Sequence, residues 1–203
     1  MPHTTYTDWS ELKTRNGFAA DEIISNLQKS IRRSMDESAC ESAYELYISG
    51  QMFLEKLWRR LQVIAIEDIG FGNLSATYQI KSLNEMRRSL PYDDPDQPVF
   101  FIHAIRILCD SEKDRSSALL KNIIVKSFEM GKTPTIMDIA IDKHTKRGRE
   151  LGRDAMHFFH EGSKVMPEKR VNNNYRQRYL EILESYDPEH AISTSFKYSP
   201  TQF

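Results

Sequence analysis

The segment "QMFLEKLWRRLQVIAIEDIG", residues 51–70, carries the strongest structural signal in the sequence. The segment from Met52 to Ile69 is apolar on nearly every side in "VIAI" and basic in "KLWRR". A helix that is hydrophobic all round is surrounded by other elements of the fold. The segment therefore predicts a central helix.

An acidic pair, Glu67 and Asp68, ends this helix just before Gly70. Adjacent residues on a helix point about 100° apart, so the two carboxylates do not converge as a catalytic pair. Carboxylates at a helix end can instead accept backbone N–H groups of the next helix or pair with Arg59 or Arg60. We predict that Glu67, Asp68 and Gly70 form a structural turn.

Helical patterns also precede this segment. Apolar residues recur at steps of three and four from Asp21 to Arg33, which indicates an amphipathic helix. Ser34 and Glu37 fit a capping box for a second helix, and Gly50 is its natural C-terminal stop.

The pattern continues downstream. One helix ends at Pro91, and "VFFIHAIRILCD" and "SSALLKNIIVKSFEMG" form a predicted helical hairpin. "NNNYRQRYLEILESY" predicts a last, Asn-capped helix. No sustained period-two pattern is present, and only a short extended piece is expected, near 134–141. The fold class is therefore predicted to be all-α, a multi-helix array.

The 203 residues could form one compact domain or two small ones, and they are enough to bury a real core. One domain is the simpler expectation. Residues 1–17 are polar and aperiodic, and the chain after Pro188 lacks a helical pattern. We predict a flexible N-terminal arm over 1–17, a single helical domain over 18–186, and a loose C-terminal tail over 187–203.

Composition restricts the function classes. Hydrophobic residues make up 39% and charged residues 28% of the chain, which is typical of a soluble globular protein. No apolar run approaches the roughly 18–20 residues that a membrane span needs, and the N-terminus lacks a secretory pattern. Cys40 and Cys109 show no metal or redox spacing, so we expect core thiols in a cytoplasmic protein.

The net charge of −1 conceals three basic clusters, which are either solvated helix faces or contacts to phosphates. The first consists of Lys29, Arg32 and Arg33, the second of Lys56, Arg59 and Arg60, and the third of Lys143, Lys146, Arg147, Arg149 and Arg153.

The sequence holds no GxxxxGK[ST] phosphate loop, no dinucleotide fingerprint and no GxSxG elbow, so we predict neither a cofactor nor enzymatic activity. The alternative is a metal-dependent enzyme that uses histidines. His144, His157 and His160 would supply imidazoles, with a carboxylate from Glu67, Asp68 or Glu161. Their spacing fits no zinc-protease motif. His103 is expected to be a core or interface histidine.

A family resemblance adds to this. Residues 29–70, "KSIRRSMDESACESAYELYISGQMFLEKLWRRLQVIAIEDIG", resemble the C-terminal helical region of the RarA/MgsA ATPases, a clamp-loader-related group that includes the Werner-helicase-interacting ATPase. The match includes Lys29-Ser30-Ile31-Arg32, Arg59-Arg60-Leu61 and Glu67-Asp68-Ile69-Gly70. "TKRGRELG", 145–152, is similar to a later T-K-x-x-K-E-L-G motif of that family.

The resemblance implies a clamp-loader-type helical domain that forms a homotetramer, whereas ATP hydrolysis belongs to an AAA+ module that residues 1–17 cannot hold. We therefore expect a stand-alone, non-catalytic oligomerisation or adaptor domain in DNA replication, recombination or repair. An interaction subunit for a separately encoded AAA+ ATPase is a further alternative. Arg59, Arg60 and the third basic cluster are candidates for contact with DNA or with a partner.

Oligomerisation has a second motive in the residues themselves. The apolar segment 52–69 and four phenylalanines supply more hydrophobic surface than a small helical array needs. Either part of this surface lies at a subunit interface, or all of it is buried in the core. The phenylalanines are Phe100, Phe101, Phe158 and Phe159.

Overall fold

The computed structural model describes residues 8–191, and within that range the chain is helical and contains no strand. An isolated β-bridge joins Lys13 and Ala19. The all-α prediction is confirmed. The helices are α1 Ala20–Arg32, α2 Asp36–Ile48, α3 Gln51–Ile64, α4 Ala76–Arg87, α5 Gln97–Asp110, α6 Ser116–Glu129, α7 Lys146–Glu150, α8 Ala155–His157 and α9 Tyr175–Ser185.

Short turns extend two of these helices. α3 continues into a π-helical turn, Ala65–Ile69, and a 3₁₀ turn, Gly70–Gly72. α8 continues into a second π-helical turn, Phe158–Gly162. Further 3₁₀ turns lie at Asp138–Ala140 and Pro188–His190, so the segment predicted to be extended near 134–141 contains a helical turn.

The chain divides into two compact units, residues 1–132 and residues 133–203. The first holds α1 to α6 and the second holds α7 to α9. The single domain over 18–186 stays a prediction.

The core of the first unit forms around α3, which packs against α1, α2, α4 and α5. The buried side chains of α3 lie on one face, whereas Arg59 and Val63 are exposed. α3 is therefore amphipathic: one face packs against its neighbours and the other contacts water. The buried residues of α3 are Phe53, Leu54, Leu57, Trp58, Leu61 and Ile64.

The start of α2 differs from the predicted capping box. Ser34 adopts a left-handed backbone conformation with φ of 56°, and α2 begins only at Asp36. The Ser34 hydroxyl donates a 2.6 Å hydrogen bond to the Cys109 carbonyl oxygen on α5. Ser34 therefore ties the α1–α2 connection to α5 instead of capping α2.

A buried glutamine closes the loop between α4 and α5. Gln97, 1% exposed, donates through Nε2 to the carbonyl oxygens of Arg87 and Pro91, each at 3.0 Å. Arg87 is the last residue of α4 and Pro91 lies in the loop that follows it, so this side chain ties the end of α4 to that loop.

Residues 8–17, part of the predicted arm, pack against α2 and α3. The Trp9 ring meets Phe53 edge-on at 5.5 Å, and Lys56 Nζ lies 4.6 Å from the Trp9 ring centroid. Asn16 donates to the Glu45 carboxylate through its backbone N–H and its side chain. Residues 1–7 of the arm and 192–203 of the predicted tail lie outside the described residues.

The second unit has a much smaller interior. Ile141, Asp142, Gly148 and Phe159 are its buried residues among those described. Over residues 8–191, no helix is both long and apolar enough to cross a membrane.

Candidate functional site

The carboxylate that ends α3 lies inside a cluster of polar side chains. Asp68 is fully buried in the π-helical turn. Arg32 Nε on α1 donates to its Oδ1 at 2.5 Å, and Gln28 Nε2 donates to its Oδ2 at 2.8 Å. Arg115, just before α6, places its Nε 3.1 Å from the same Oδ1.

Glu67 belongs to the same cluster but is one-third exposed. Its Oε1 lies 3.5 Å from Arg32 and 3.6 Å from Arg115, measured to their terminal nitrogens. Two carboxylates thus face two guanidinium groups, so the burial of Asp68 is compensated by opposite charge and by hydrogen bonds. The cluster connects α1, the end of α3 and the start of α6.

The predicted pairing of these carboxylates with Arg59 or Arg60 is wrong. Arg59 is exposed, and Arg60 reaches Gln28 Oε1 at 3.5 Å. Both arginines lie about two turns before the pair on the same helix, whereas the π-helical turn directs the carboxylates toward α1 and α6. Arg59 remains available to a partner, and Arg60 is half-buried.

Gly70 follows the acidic pair in a conformation that favours glycine, with φ of 52°. A Cβ at this position would stand 2.5 Å from the Asp114 carbonyl oxygen, and the Asp114 N–H donates to the Ile69 carbonyl oxygen at 3.1 Å. The chain before α6 therefore lies directly against this turn. A structural role for Glu67, Asp68 and Gly70 stays a prediction, for which these contacts give the geometry.

The third basic cluster lies in the second unit, and its members differ in exposure and in contacts. Lys146, Arg147 and Arg149 are exposed on α7, with Lys146 Nζ 3.7 Å from Glu150. Lys143 is half-buried, with Nζ 5.5 Å from the centroid of the Phe158 ring.

Arg153 is committed to its own chain. Its side chain is only 18% exposed and makes two 2.8 Å bonds to the Asp138 carboxylate. It also donates to the carbonyl oxygens of Asp138 and Ile141. The hydrogen bonds from Arg153 to the Asp138 carboxylate hold the pKa of Asp138 below its usual value. Arg153 therefore fixes the turn before α7 and is a poor candidate for DNA contact.

Two histidines of the metal alternative, His144 and His160, have different partners. His144 Nδ1 lies 3.1 Å from an Asp142 carboxylate oxygen, and hydrogen bonds from His144 lower the pKa of Asp142. His160 packs edge-on against Phe159 at 5.2 Å, and His157 is half-buried. Over residues 8–191, no group of three or more His, Cys, Asp or Glu side chains is arranged to hold a metal ion.

Two other sequence expectations concern α2 and α5. His103 is exposed, so it is not a core histidine. Cys109 is buried, and burial raises the pKa of its thiol to about 11. Cys40 is half-buried and packs against the core. Both thiols are packing residues.

The feature that sequence analysis missed is the surface of α6. Ala118 is the one buried residue of this helix, which contacts the π-helical turn after α3. The exposed fractions of its large apolar side chains run from 45% at Val125 to 61% at Ile123. The sequence patterns predicted surplus apolar surface, but they placed it in residues 52–69 and in four phenylalanines. Two of these phenylalanines, Phe101 and Phe159, are buried. The exposed residues are Leu119, Leu120, Ile123, Ile124, Val125 and Phe128.

Comparison with known proteins gives a partial identification. The chain is 32% identical over 139 residues to replication-associated recombination protein A of Bacillus subtilis (strain 168). The match covers 68% of this chain and 32% of that protein, so the chain spans about a third of its relative. No family model matches. The chain is therefore related to replication-associated recombination protein A.

Proposed function

We propose that this chain is a self-associating helical domain that acts as an adaptor in DNA replication-associated recombination. The process is carried over from the name of the Bacillus subtilis relative. The self-association rests on one observation, the exposed apolar surface of α6.

The α6 surface is unusual for a helix of a packed unit. Six large apolar side chains, each about half exposed, extend over fourteen residues that contain only two lysines and one glutamate. Exposed apolar patches of more than a few hundred Å² mark interaction sites in soluble proteins. Removing such a surface from water stabilises the associated state by roughly 25 cal/mol per Å² of apolar area, which favours association.

The surface continues onto the turn that α6 contacts. Ile66, in the π-helical turn, is 60% exposed, and Phe71, between the two glycines, is 70% exposed. Gly70 lies directly against the Asp114 carbonyl group, which restricts the backbone next to Phe71. The Phe71 side chain therefore extends from a rigid support. Rigid aromatic anchors are typical of the energetically important part of an interface.

A second copy of this chain is the occupant we favour, with a homotetramer as the expected assembly. A self-complementary apolar surface can close on itself around a two-fold axis without any further partner. The adaptor role then follows from the surfaces that assembly leaves free. Contact with DNA is proposed for Lys143, Lys146, Arg147 and Arg149, and contact with a protein partner, such as a separate AAA+ ATPase, for Arg59.

The test is light scattering on a size-exclusion column, with and without a short single-stranded DNA. Wild-type protein is expected to elute as an oligomer, and Leu120→Glu/Ile123→Glu is expected to elute as a folded monomer. Val99→Glu is the matched control, because Val99 is 64% exposed on α5 and Ile123 is 61% exposed on α6.

A monomeric wild-type chain, or an oligomer that survives the double substitution, would overturn self-association through α6. A separate measurement of nucleotide hydrolysis checks the non-catalytic part. We expect none, with or without DNA, and turnover by the purified chain would contradict it.

A further inference from the structure

The second unit contains a small cleft. Its volume is about 410 Å³, and it lies between the π-helical turn Phe158–Gly162 and the start of α9. Apart from Leu180, its lining consists of flat or polar side chains. They are Phe159, His160, Asn173, Asn174, Arg176 and Gln177.

Arg176 contacts the aromatic wall of the cleft. Its guanidinium carbon lies 4.3 Å from the Phe159 ring centroid, and its NH2 donates to the Phe159 carbonyl oxygen at 3.2 Å. Phe159 is only 6% exposed, whereas Arg176 is exposed. A planar cation is thus held against an aromatic ring and still meets solvent.

Such a cation is a stacking platform for a planar ligand. Nucleobases stack on aromatic side chains and on arginine guanidinium planes. Tyr179, with its ring 5.9 Å from Phe159 and 48% of its surface exposed, extends the aromatic surface along α9. The amides of Asn173, Asn174 and Gln177 supply donors and acceptors of the kind that bind base edges.

The cations of the second unit are concentrated in one stretch of the chain. Residues 143–178 hold ten Lys and Arg against four Asp and Glu, whereas residues 133–191 as a whole hold ten of each. Lys143 lies over the ring of Phe158, which is adjacent in sequence to Phe159, so two cations contact aromatic rings of the same turn. A basic surface beside a stacking group is the arrangement that binds single strands, whose bases are free to unstack.

We infer that the second unit binds single-stranded nucleic acid, with one base stacked on Arg176 in this cleft and the phosphates bound by the cations of Lys143 and α7. The inference rests on the proposed DNA contact and adds the base-binding site. A folded duplex is excluded from the cleft because its bases are already paired and stacked.

The experiment measures the binding of a fluorescent oligo-dT strand, and of a strand of equal length made of abasic sites, by anisotropy at low salt. Wild-type protein is expected to bind oligo-dT about ten-fold more tightly than the abasic strand. Arg176→Ala is expected to remove this preference. Arg178→Ala is the matched control, since it removes the same charge from an exposed position two residues further along α9.

The outcomes separate this site from the proposed DNA contact. Equal binding of both strands by wild type, or equal effects of Arg176→Ala and Arg178→Ala, overturns the base site and leaves phosphate binding intact. Lys146→Glu/Arg147→Glu/Arg149→Glu is expected to weaken both strands alike and to flatten the salt dependence. Failure of wild type to bind either strand overturns both proposals, while light scattering on the same samples reports self-association independently.

Discussion

α3 and α6 are both fourteen residues long, and about half of the residues in each are apolar. α3 buries six of its hydrophobic side chains among four other helices, whereas α6 buries one. Apolar composition therefore does not decide burial in this protein. The difference comes from the number of neighbours that the chain itself supplies, and an apolar helix with too few of them has its remaining surface available to another molecule.

The largest expected effect separates the two helices directly. Leu57→Ala on α3 is expected to lower the free energy of unfolding by about 3 kcal/mol, because Leu57 is fully buried and its truncation leaves a cavity. Leu120→Ala on α6, where Leu120 is 56% exposed, is expected to act only while the chain is associated. Urea denaturation at several protein concentrations measures both.

The dependence of stability on protein concentration distinguishes the two substitutions. The effect of Leu57→Ala should be the same at every concentration, whereas that of Leu120→Ala should vanish on dilution. A concentration-independent loss of similar size for both substitutions would show that α6 is covered within the chain.

The second expected effect concerns the end of α3. Asp68→Asn removes the charge of a fully buried carboxylate and leaves Arg32 and Arg115 facing an uncharged amide. We expect a loss of about 2 kcal/mol in the free energy of unfolding, below the range for fully buried pairs because both arginines are partly exposed. Thermal and urea denaturation measure it.

Glu67→Gln is the matched control for Asp68→Asn. Glu67 meets the same two arginines but is one-third exposed, so we expect a loss below about 1 kcal/mol. Equal losses for the two substitutions would contradict the assignment of Asp68 as the residue that holds the turn.

The smallest expected effect tests the second unit through pH. Hydrogen bonds from Arg153 lower the pKa of Asp138 from its usual 3.8, so folding favours the ionised carboxylate. The stabilisation is fully present above about pH 3.8 and is lost as the pH falls through the lower pKa of the folded state. An NMR titration of the Asp138 carboxyl carbon measures this shift.

Arg153→Gln provides the comparison for that titration, because it removes the charged donor and should return the pKa of Asp138 toward its usual value. If Asp138 titrates identically in both proteins, Arg153 does not bind the Asp138 carboxylate, and its assignment to the turn loses its main support.

Local features were predictable because their causes are local. The three- and four-residue spacing before Arg33 and the stop at Gly50 follow from the period of a helix and from the chemistry of glycine, and the structure has helices there. Ser34 shows the limit of such reasoning. Its sequence fits a capping box, but its hydroxyl finds the Cys109 carbonyl oxygen on α5, 75 residues away.

The candidate sites divide in the same way. A turn at Glu67, Asp68 and Gly70 could be predicted from the acidic pair and the glycine, but their partners Arg32 and Arg115 could not. The third basic cluster was visible as charge, yet only the folded second unit shows that Arg153 is held by Asp138. The cleft beside Arg176 was not predicted, because Phe159 and Arg176 are separated by seventeen positions.

The sequence by itself determined that the chain is all-helical, where most helices begin and end, and which segment becomes the centre of the first unit. Those properties depend on periodicity and on the conformational preferences of single residues. The tertiary structure alone decided which charges pair, which cations stay free and which apolar helix is left exposed. Each of these depends on distances between residues far apart in the sequence, which are fixed only when the helices pack.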